Sequence, residues 1–165
     1  MIEKDLFRYE RKFILDNYLL NNLDDLENCL YINLIEKYKE RRINSIYYDT
    51  PNFKFALETL DGISQRRKIR IRYYGKLNEI ELPKLEIKSK IGYVGKKEIF
   101  ELNKKELYEN NFSLNQFYNS IKEKRNSLHF IFGLEPKVIV TYRRKYFLSS
   151  CNRYRFTLDS DISFK

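Results

Sequence analysis

Alternating apolar and charged positions mark the stretch QRRKIRIRYY, residues 65–74. Its apolar residues, at positions 69, 71 and 73, alternate with three cations, Lys68, Arg70 and Arg72. Successive side chains of a strand point to opposite faces, so the pattern predicts a strand with one apolar face and one strongly positive face. Like charges about 7 Å apart repel one another unless water, salt or an anion lies between them. A solvated face and an anion-binding face both fit this strand taken alone.

The same two-residue alternation predicts further strands. We expect them over residues 7–15, 84–90, 92–102, 136–148 and 152–164. Residues 30–38 and 41–50 predict either two strands or one strand and an irregular approach to it. In KLEIKSK, one face is predicted to carry Leu85, Ile87 and Ser89, and the other Glu86, Lys88 and Lys90.

Helical signals separate these strands. Leucines at helical spacing predict a helix over 16–30 with Asp16 as its N-cap. A second helix is predicted over 50–61, because Thr50 can cap it, Pro51 suits its first position and Gly62 follows its end. Two more are expected over 103–110 and 113–128. This order of elements predicts an α+β fold with a mostly antiparallel sheet.

Composition narrows the class of protein and of partner. The 165 residues suit a single domain, and the hydrophobic content of 42% indicates a globular chain. Lysine and arginine number 32 against 23 acids, a formal charge of +9. A polyanionic partner is therefore expected: nucleic acid, membrane surface, nucleotide or polyphosphate.

The cysteines and the histidine indicate the redox environment of the protein and which metal sites it can form. Cys29 and Cys151 show no metal-ligand spacing and no disulfide framework, so we expect two buried thiols in a reducing compartment. The single histidine, His129, makes a zinc site unlikely. The N-terminus lacks an apolar leader, and no stretch of 18 uncharged apolar residues occurs. The prediction is a soluble cytoplasmic chain without a transmembrane segment.

Several predicted strands pair an apolar face with a mainly cationic one. If helices cover the apolar side and the sheet curls, the polar faces line a shared water-filled tunnel whose convergent charges attract anions. Arginine suits phosphate there, because its planar fork donates two parallel hydrogen bonds. Glu10 and Glu86 are candidate ligands for a hard divalent cation that bridges phosphates.

Six segments in this order carry a family resemblance: RYERKF, INSIYYDTPNF, LDGISQRRKIRIRYYG, LEIKSK, VTYRRKYF and RFTLDSDI. Spanning Arg8 to Ile162, they resemble the VTC domain, the catalytic domain of polyphosphate polymerases within the triphosphate tunnel metalloenzyme superfamily. The resemblance implies an antiparallel β-tunnel or barrel with flanking helices. It also implies binding of ATP or another nucleoside triphosphate and of polyphosphate, with Mg²⁺ or Mn²⁺.

Site residues follow from the resemblance and from the charged faces. The phosphate-binding candidates are Lys12, Lys68, Arg70, Arg72, Lys88, Arg144 and Arg155, and the metal candidates are Glu10 and Glu86. The four arginines among them are expected to stabilise the transition state of phosphoryl transfer: Arg70, Arg72, Arg144 and Arg155.

Two departures from the family pattern affect this expectation. Arg8 stands where many tunnel hydrolases carry the first of two glutamates, which resembles the polymerase branch rather than a simple triphosphatase. VTC domains also continue to a last strand with a metal-binding glutamate, whereas this sequence ends at Lys165. Residues 1–165 are accordingly expected to form a tunnel domain that lacks its last strand. The alternatives are a truncated chain, a strand supplied by another chain or segment, or a domain that binds without turnover.

The expected function is that of a metal-dependent phosphotransferase of the polyphosphate polymerase type. Two alternatives stay open: a non-catalytic domain that binds polyphosphate, inositol phosphates or nucleotide, and a tunnel triphosphatase. A nucleic-acid-binding module has only charge and aromatic content in its favour, because the sequence contains no recognised DNA- or RNA-binding motif.

Overall fold

The computed structural model describes residues 10–77, 79–108, 113–123 and 125–165. Within them, six strands form one antiparallel sheet in the order β4-β3-β2-β1-β5-β6. The strands are β1 (Leu34–Asp49), β2 (Gln65–Tyr74), β3 (Glu81–Ile91), β4 (Val94–Glu101), β5 (Glu135–Ser149) and β6 (Arg155–Phe164). The sheet is not closed in the described part of the chain, where β4 and β6 form its edges.

Short helices lie before and between the strands. They are α1 (Asn17–Asn21), α2 (Leu23–Leu30), α3 (Lys54–Leu60), α4 (Lys104–Tyr108), α5 (Leu114–Ile121) and a 3-10 helix (Asn126–Ile131). The predicted α+β class and antiparallel sheet are confirmed. None of the helices in the described ranges is both long enough and apolar enough to cross a bilayer.

The hydrophobic core lies on one face of β2 and β3. Ile69, Ile71, Leu85 and Ile87 are fully or almost fully buried there. They pack against side chains from α3, α5 and the 3-10 helix, among them Phe55, Leu114, Leu128 and Ile131. These helices cover the apolar side of the sheet, so the charged side chains between the isoleucines point to the opposite side, which we call the polar face. The faces predicted for residues 65–74 and 84–90 are confirmed.

Several helix boundaries differ from the predicted ones. Asp16 does cap α1, where its carboxylate accepts a hydrogen bond from the backbone N–H of Leu19 at 2.8 Å, but the predicted single helix over 16–30 is two helices. The helix predicted over 113–128 ends at Ile121, and the 3-10 helix follows.

Helix α3 begins at Lys54 rather than at Pro51, because a buried aspartate supplies its cap. The Asp49 carboxylate accepts from the backbone N–H groups of Phe55 and Ala56, both at 2.9 Å. Thr50 contributes as predicted, since its hydroxyl accepts from the N–H of Lys54. Gly62 has a φ of +68° just after the helix end, as its position suggested.

Other predictions were wrong. The described part of the predicted first strand, residues 10–15, is not a strand, and residues 7–9, including Arg8, lie outside the described residues. Residues 34–49 form one long strand whose pairing with β5 shifts register at three places. Cys29 and Cys151 are exposed rather than buried.

Candidate functional site

Three lysines form a row across neighbouring strands on the polar face. The backbone register pairs Lys68 of β2 with Lys88 of β3, and Lys88 with Lys97 of β4. Directly opposite residues have Cβ atoms about 5 Å apart, and like charges at that spacing destabilise a sheet. This lysine row therefore favours any anion that lies over it.

The pKa of Lys88 reflects this crowding. Partial burial lowers it, and the positive charges of Arg70 and Lys97 lower it further. The carboxylates of Glu86 and Glu10 offset part of the effect. A bound polyanion would relieve this repulsion and would therefore stabilise the charged ammonium of Lys88.

Beside the lysine row, one buried carboxylate holds three cations. The Glu86 side chain is completely buried. Its Oε2 accepts hydrogen bonds from Nε and Nη2 of Arg70, at 3.0 and 2.8 Å, and its Oε1 lies 2.8 Å from Nη2 of Arg72 and 3.0 Å from Nζ of Lys97. Burial raises the pKa of Glu86, but the hydrogen bonds from Lys97 and Arg70 and the charges of both arginines outweigh it and lower the pKa overall. The cluster keeps a net positive charge and fixes the guanidinium groups.

Two tyrosines connect this cluster to the other half of the sheet. Nη1 of Arg70 donates to the hydroxyl of Tyr47 at 3.2 Å. On β5, the guanidinium of Arg144 lies 5.1 Å from the ring centre of Tyr142. Burial raises the pKa of Tyr142, and the charges that act on it include both Arg144 and Arg70. The side chains of β2, β1 and β5 thus form one continuous electrostatic surface.

Arg144 is oriented by a bidentate pair. Its Nε and Nη2 donate to the two oxygens of Asp159 on β6, at 2.6 and 2.7 Å. Hydrogen bonding to Asp159 raises the pKa of Arg144 above its usual range despite partial burial. The pair fixes the plane of the guanidinium, as phosphate recognition requires.

Two buried polar atoms at the centre of the polar face lack a hydrogen-bond partner among the described residues. They are the hydroxyl of Ser45 and Nε of Arg72. The two residues are directly opposite each other on β1 and β2. Buried polar atoms are normally hydrogen-bonded, so these two favour a bound water or a ligand oxygen.

The other predicted site residues lie at the margins. Glu10 and Lys12 precede α1, are largely exposed and form an ion pair of 3.8 Å. Because the carboxylate of Glu10 acts on the pKa of Lys88, this segment lies near the lysine row. Arg155 is exposed at the start of β6, opposite Leu148 and four residues from Asp159. The structure therefore brings Lys68, Arg70, Arg72 and Lys88 together and places Arg155 apart from them.

The predicted metal ligands do not form a cage. Both oxygens of Glu86 already contact cations. In the described ranges, no group of three or more His, Cys, Asp or Glu residues is placed to hold a metal ion. The described residues therefore do not fit a divalent ion that the protein itself holds.

Sequence reasoning did not assign Tyr47, Lys97 or Asp159 to the site. No alternation marks Tyr47, because Ile46 and Tyr48 on either side of it are partly exposed, as Tyr47 is. Lys97 and Asp159 needed the pairing of β3 with β4 and of β5 with β6, which alternation does not provide.

Comparisons with known proteins identify a family that matches this chain. The family model described as the VTC domain matches residues 7–165. The curated proteins contain no match. Among solved structures, a protein from Vibrio parahaemolyticus proposed to be an adenylate cyclase is similar at 14% identity and a TM-score of 0.44. The similarity covers 84% of this chain and 62% of that one, so this chain spans less than two thirds of its neighbour's length.

Proposed function

Because this chain belongs to the VTC-domain family, we propose that its polar face binds the phosphate chain of ATP or another nucleoside triphosphate, together with polyphosphate. In this proposal residues 1–165 act as one tunnel-type domain that transfers the terminal phosphoryl group to the polyphosphate end. A further chain or segment that covers the open sheet would complete the tunnel.

The arrangement of charge carries the proposal. Five cations lie together on β2, β3 and β4, with one buried carboxylate among them: Lys68, Arg70, Arg72, Lys88, Lys97 and Glu86. The excess is four positive charges, and the repulsion is greatest along the lysine row. A linear polyanion matches this row, because its charges repeat along its length as the lysines do across the strands.

The proposed chemistry needs positioning and charge rather than a covalent nucleophile. A terminal oxygen of polyphosphate attacks the γ-phosphorus, the bond from that phosphorus to the bridging oxygen breaks, and the nucleoside diphosphate leaves with the electron pair. Arg70, Arg72 and Arg144 would stabilise charge on the transferring group, held in orientation by Glu86 and Asp159. Lys88, with Lys68, Lys97 and Lys12, would bind the donor or the chain end, and Arg155 would contact phosphates farther along β6. Mg²⁺ or Mn²⁺ would be bound by the phosphates of the substrate.

An assay with a surface-matched control tests the proposal. The protein is incubated with ATP and Mn²⁺, long-chain polyphosphate is resolved on gels, and free phosphate and ATP affinity are measured. Lys88→Gln removes one exposed charge from the row and should weaken ATP binding about tenfold, equal to about 1.4 kcal/mol. Lys54→Gln removes one exposed charge from α3, on the covered side of the sheet, and should leave binding unchanged. Equal behaviour of the two variants would overturn the assignment of the polar face.

A non-catalytic receptor is the second candidate. Both oxygens of Glu86 contact cations, so this carboxylate orients the arginines rather than binding a metal ion. This arrangement favours a receptor. ATP or polyphosphate binding that Lys88→Gln weakens, with no product formed, would identify this function. Free phosphate without polyphosphate would identify a triphosphatase.

A further inference from the structure

A second basic site lies on the opposite side of the sheet, beyond the end of the hydrophobic core. A cavity of about 180 Å³ lies between the ends of β2, β3 and β4 and the 3-10 helix. We call it the end cavity. Its lining includes Arg66, Arg67, Ser89, Lys90, Lys96 and Ser127. A volume of this size holds several water molecules and therefore accommodates a phosphate group.

Backbone register explains how these side chains meet. Arg67 of β2 is directly opposite Ser89 of β3, and Ser89 is opposite Lys96 of β4. This row is two residues from the buried row that contains Ile69 and Ile87. Because strand side chains repeat with a period of two, Arg67, Ser89 and Lys96 point to the helix-covered side, away from the lysine row. The sheet therefore separates these three side chains from the lysine row.

The end cavity holds more positive charge than its neighbouring carboxylate balances. Glu98 lies 3.2 Å from Nζ of Lys96 and 3.5 Å from Nη1 of Arg125, so its single negative charge is shared by two cations. Arg67 adds a third cation on the same side of the sheet. The lining therefore has a surplus of cations, which favours an anion at this position.

One arginine is held in a geometry suited to oxyanions. The guanidinium of Arg67 stacks over the ring of Phe130, 4.4 Å from its centre. Stacking fixes the guanidinium plane and leaves its N–H edge to donate to acceptors. The hydroxyls of Ser89 and Ser127 add neutral donors beside it.

From this arrangement we propose that the end cavity is a second anion site, which binds a small phosphate-bearing ligand such as inorganic phosphate, pyrophosphate or the phosphate group of a monoester. The site is separate from the proposed transfer reaction, because the side chains of Arg67, Ser89 and Lys96 point away from the polar face.

Amide shifts in the ¹⁵N-labelled protein separate the two sites. Pyrophosphate is titrated at constant ionic strength while the amides of Ser89 and Ser127 report the end cavity and that of Tyr142 reports the polar face. Lys96→Gln and Arg67→Gln should each raise the dissociation constant read at Ser127 about tenfold and leave that read at Tyr142 unchanged. The control Lys54→Gln should change neither. Since the Lys96 side chain is 67% exposed, its variant keeps the test valid even if Arg67→Gln destabilises the fold.

Three results would overturn the second site. The first is no shift at Ser89 and Ser127 with millimolar pyrophosphate, and the second is equal weakening by Lys54→Gln and Lys96→Gln. The third is equal affinity for sulfate and pyrophosphate, which would reject a phosphate ligand. Titration of inorganic phosphate in parallel distinguishes a single phosphate group from a linked pair. Loss of ATP binding at the polar face would leave these readouts unaffected.

Discussion

Replacing Glu86 by Gln removes the one negative charge that three cations share. The carboxylate is fully buried, and the Arg70 and Arg72 side chains are only 17% and 20% exposed. At an effective dielectric constant of about 20, each unit pair about 4 Å apart contributes about 4 kcal/mol before desolvation is counted. Breaking a buried ion pair from one side costs about 3–5 kcal/mol net, because the remaining charges stay buried without a partner. We expect a loss of that size in the free energy of unfolding.

Urea denaturation measures this loss. With a slope of about 2 kcal/mol per molar urea, the midpoint of Glu86→Gln should fall by about 2 M. Glu98→Gln is the matched control, because Glu98 also contacts two cations, but those are 67% and 55% exposed. Exposed pairs contribute about 1 kcal/mol or less, so its midpoint should shift by no more than about 0.5 M. Similar shifts in the two variants would refute the argument that Glu86 organises the site.

The pH dependence gives a second check on Glu86. Its pKa in the folded protein lies below the ordinary value, since hydrogen bonds and arginine charges outweigh burial. The stabilisation from its charge is therefore present above the unfolded pKa, about 4.3, and is lost as pH falls through the lower folded pKa. The difference between the wild type and Glu86→Gln should be largest near neutral pH and shrink below about pH 4. A difference that grows as the solution is acidified would contradict the assigned shift.

Three further predictions concern other residues. Burial and neighbouring cations lower the pKa of Lys88, so bound tripolyphosphate should raise this pKa. NMR titration of the Lys88 side-chain nitrogen, with and without tripolyphosphate, measures the change. An unchanged pKa would argue against phosphate over the lysine row. Gly75→Ala should destabilise more than Gly92→Ala in urea, since a Cβ at Gly75 would meet the Glu79 carbonyl oxygen at 2.5 Å whereas one at Gly92 meets nothing within 4 Å; equal costs would contradict this contact. Asp49→Ala should cost about 2 kcal/mol and lower hydrogen-exchange protection in α3, because three backbone N–H groups lose their acceptor; unchanged protection would show that the cap is dispensable.

The faces of β2 and β3 were predictable because a period of two fixes them wherever one side is buried. Ile69 and Leu85 identify the covered side, and the cations between such residues must then point away from it. The charge of the polar face followed from sequence alone, including Arg70, Arg72 and Lys88.

Partners across strands were not predictable. The cations that contact Glu86 come from two strands: Arg70 and Arg72 lie on β2, and the pairing of β3 with β4 places Nζ of Lys97 at 3.0 Å. The predicted first strand failed for a related reason. Alternation in residues 10–15 suggested a buried side, yet Phe13 and Ile14 are largely or completely exposed, and alternation alone does not show which strand lies beside another.

The position of β1 has a consequence for the order of folding. β1 pairs with β2, which follows it closely along the chain, and with β5, where Leu34 meets Ser149 across 115 residues. Contacts between distant segments form slowly, because closing the intervening loop costs entropy before any pairing compensates for it. During synthesis, the half of the sheet with the lysine row can assemble first, whereas Arg144 joins it only after β5 has left the ribosome. A nascent chain would therefore acquire its affinity for anions before it acquires the complete site.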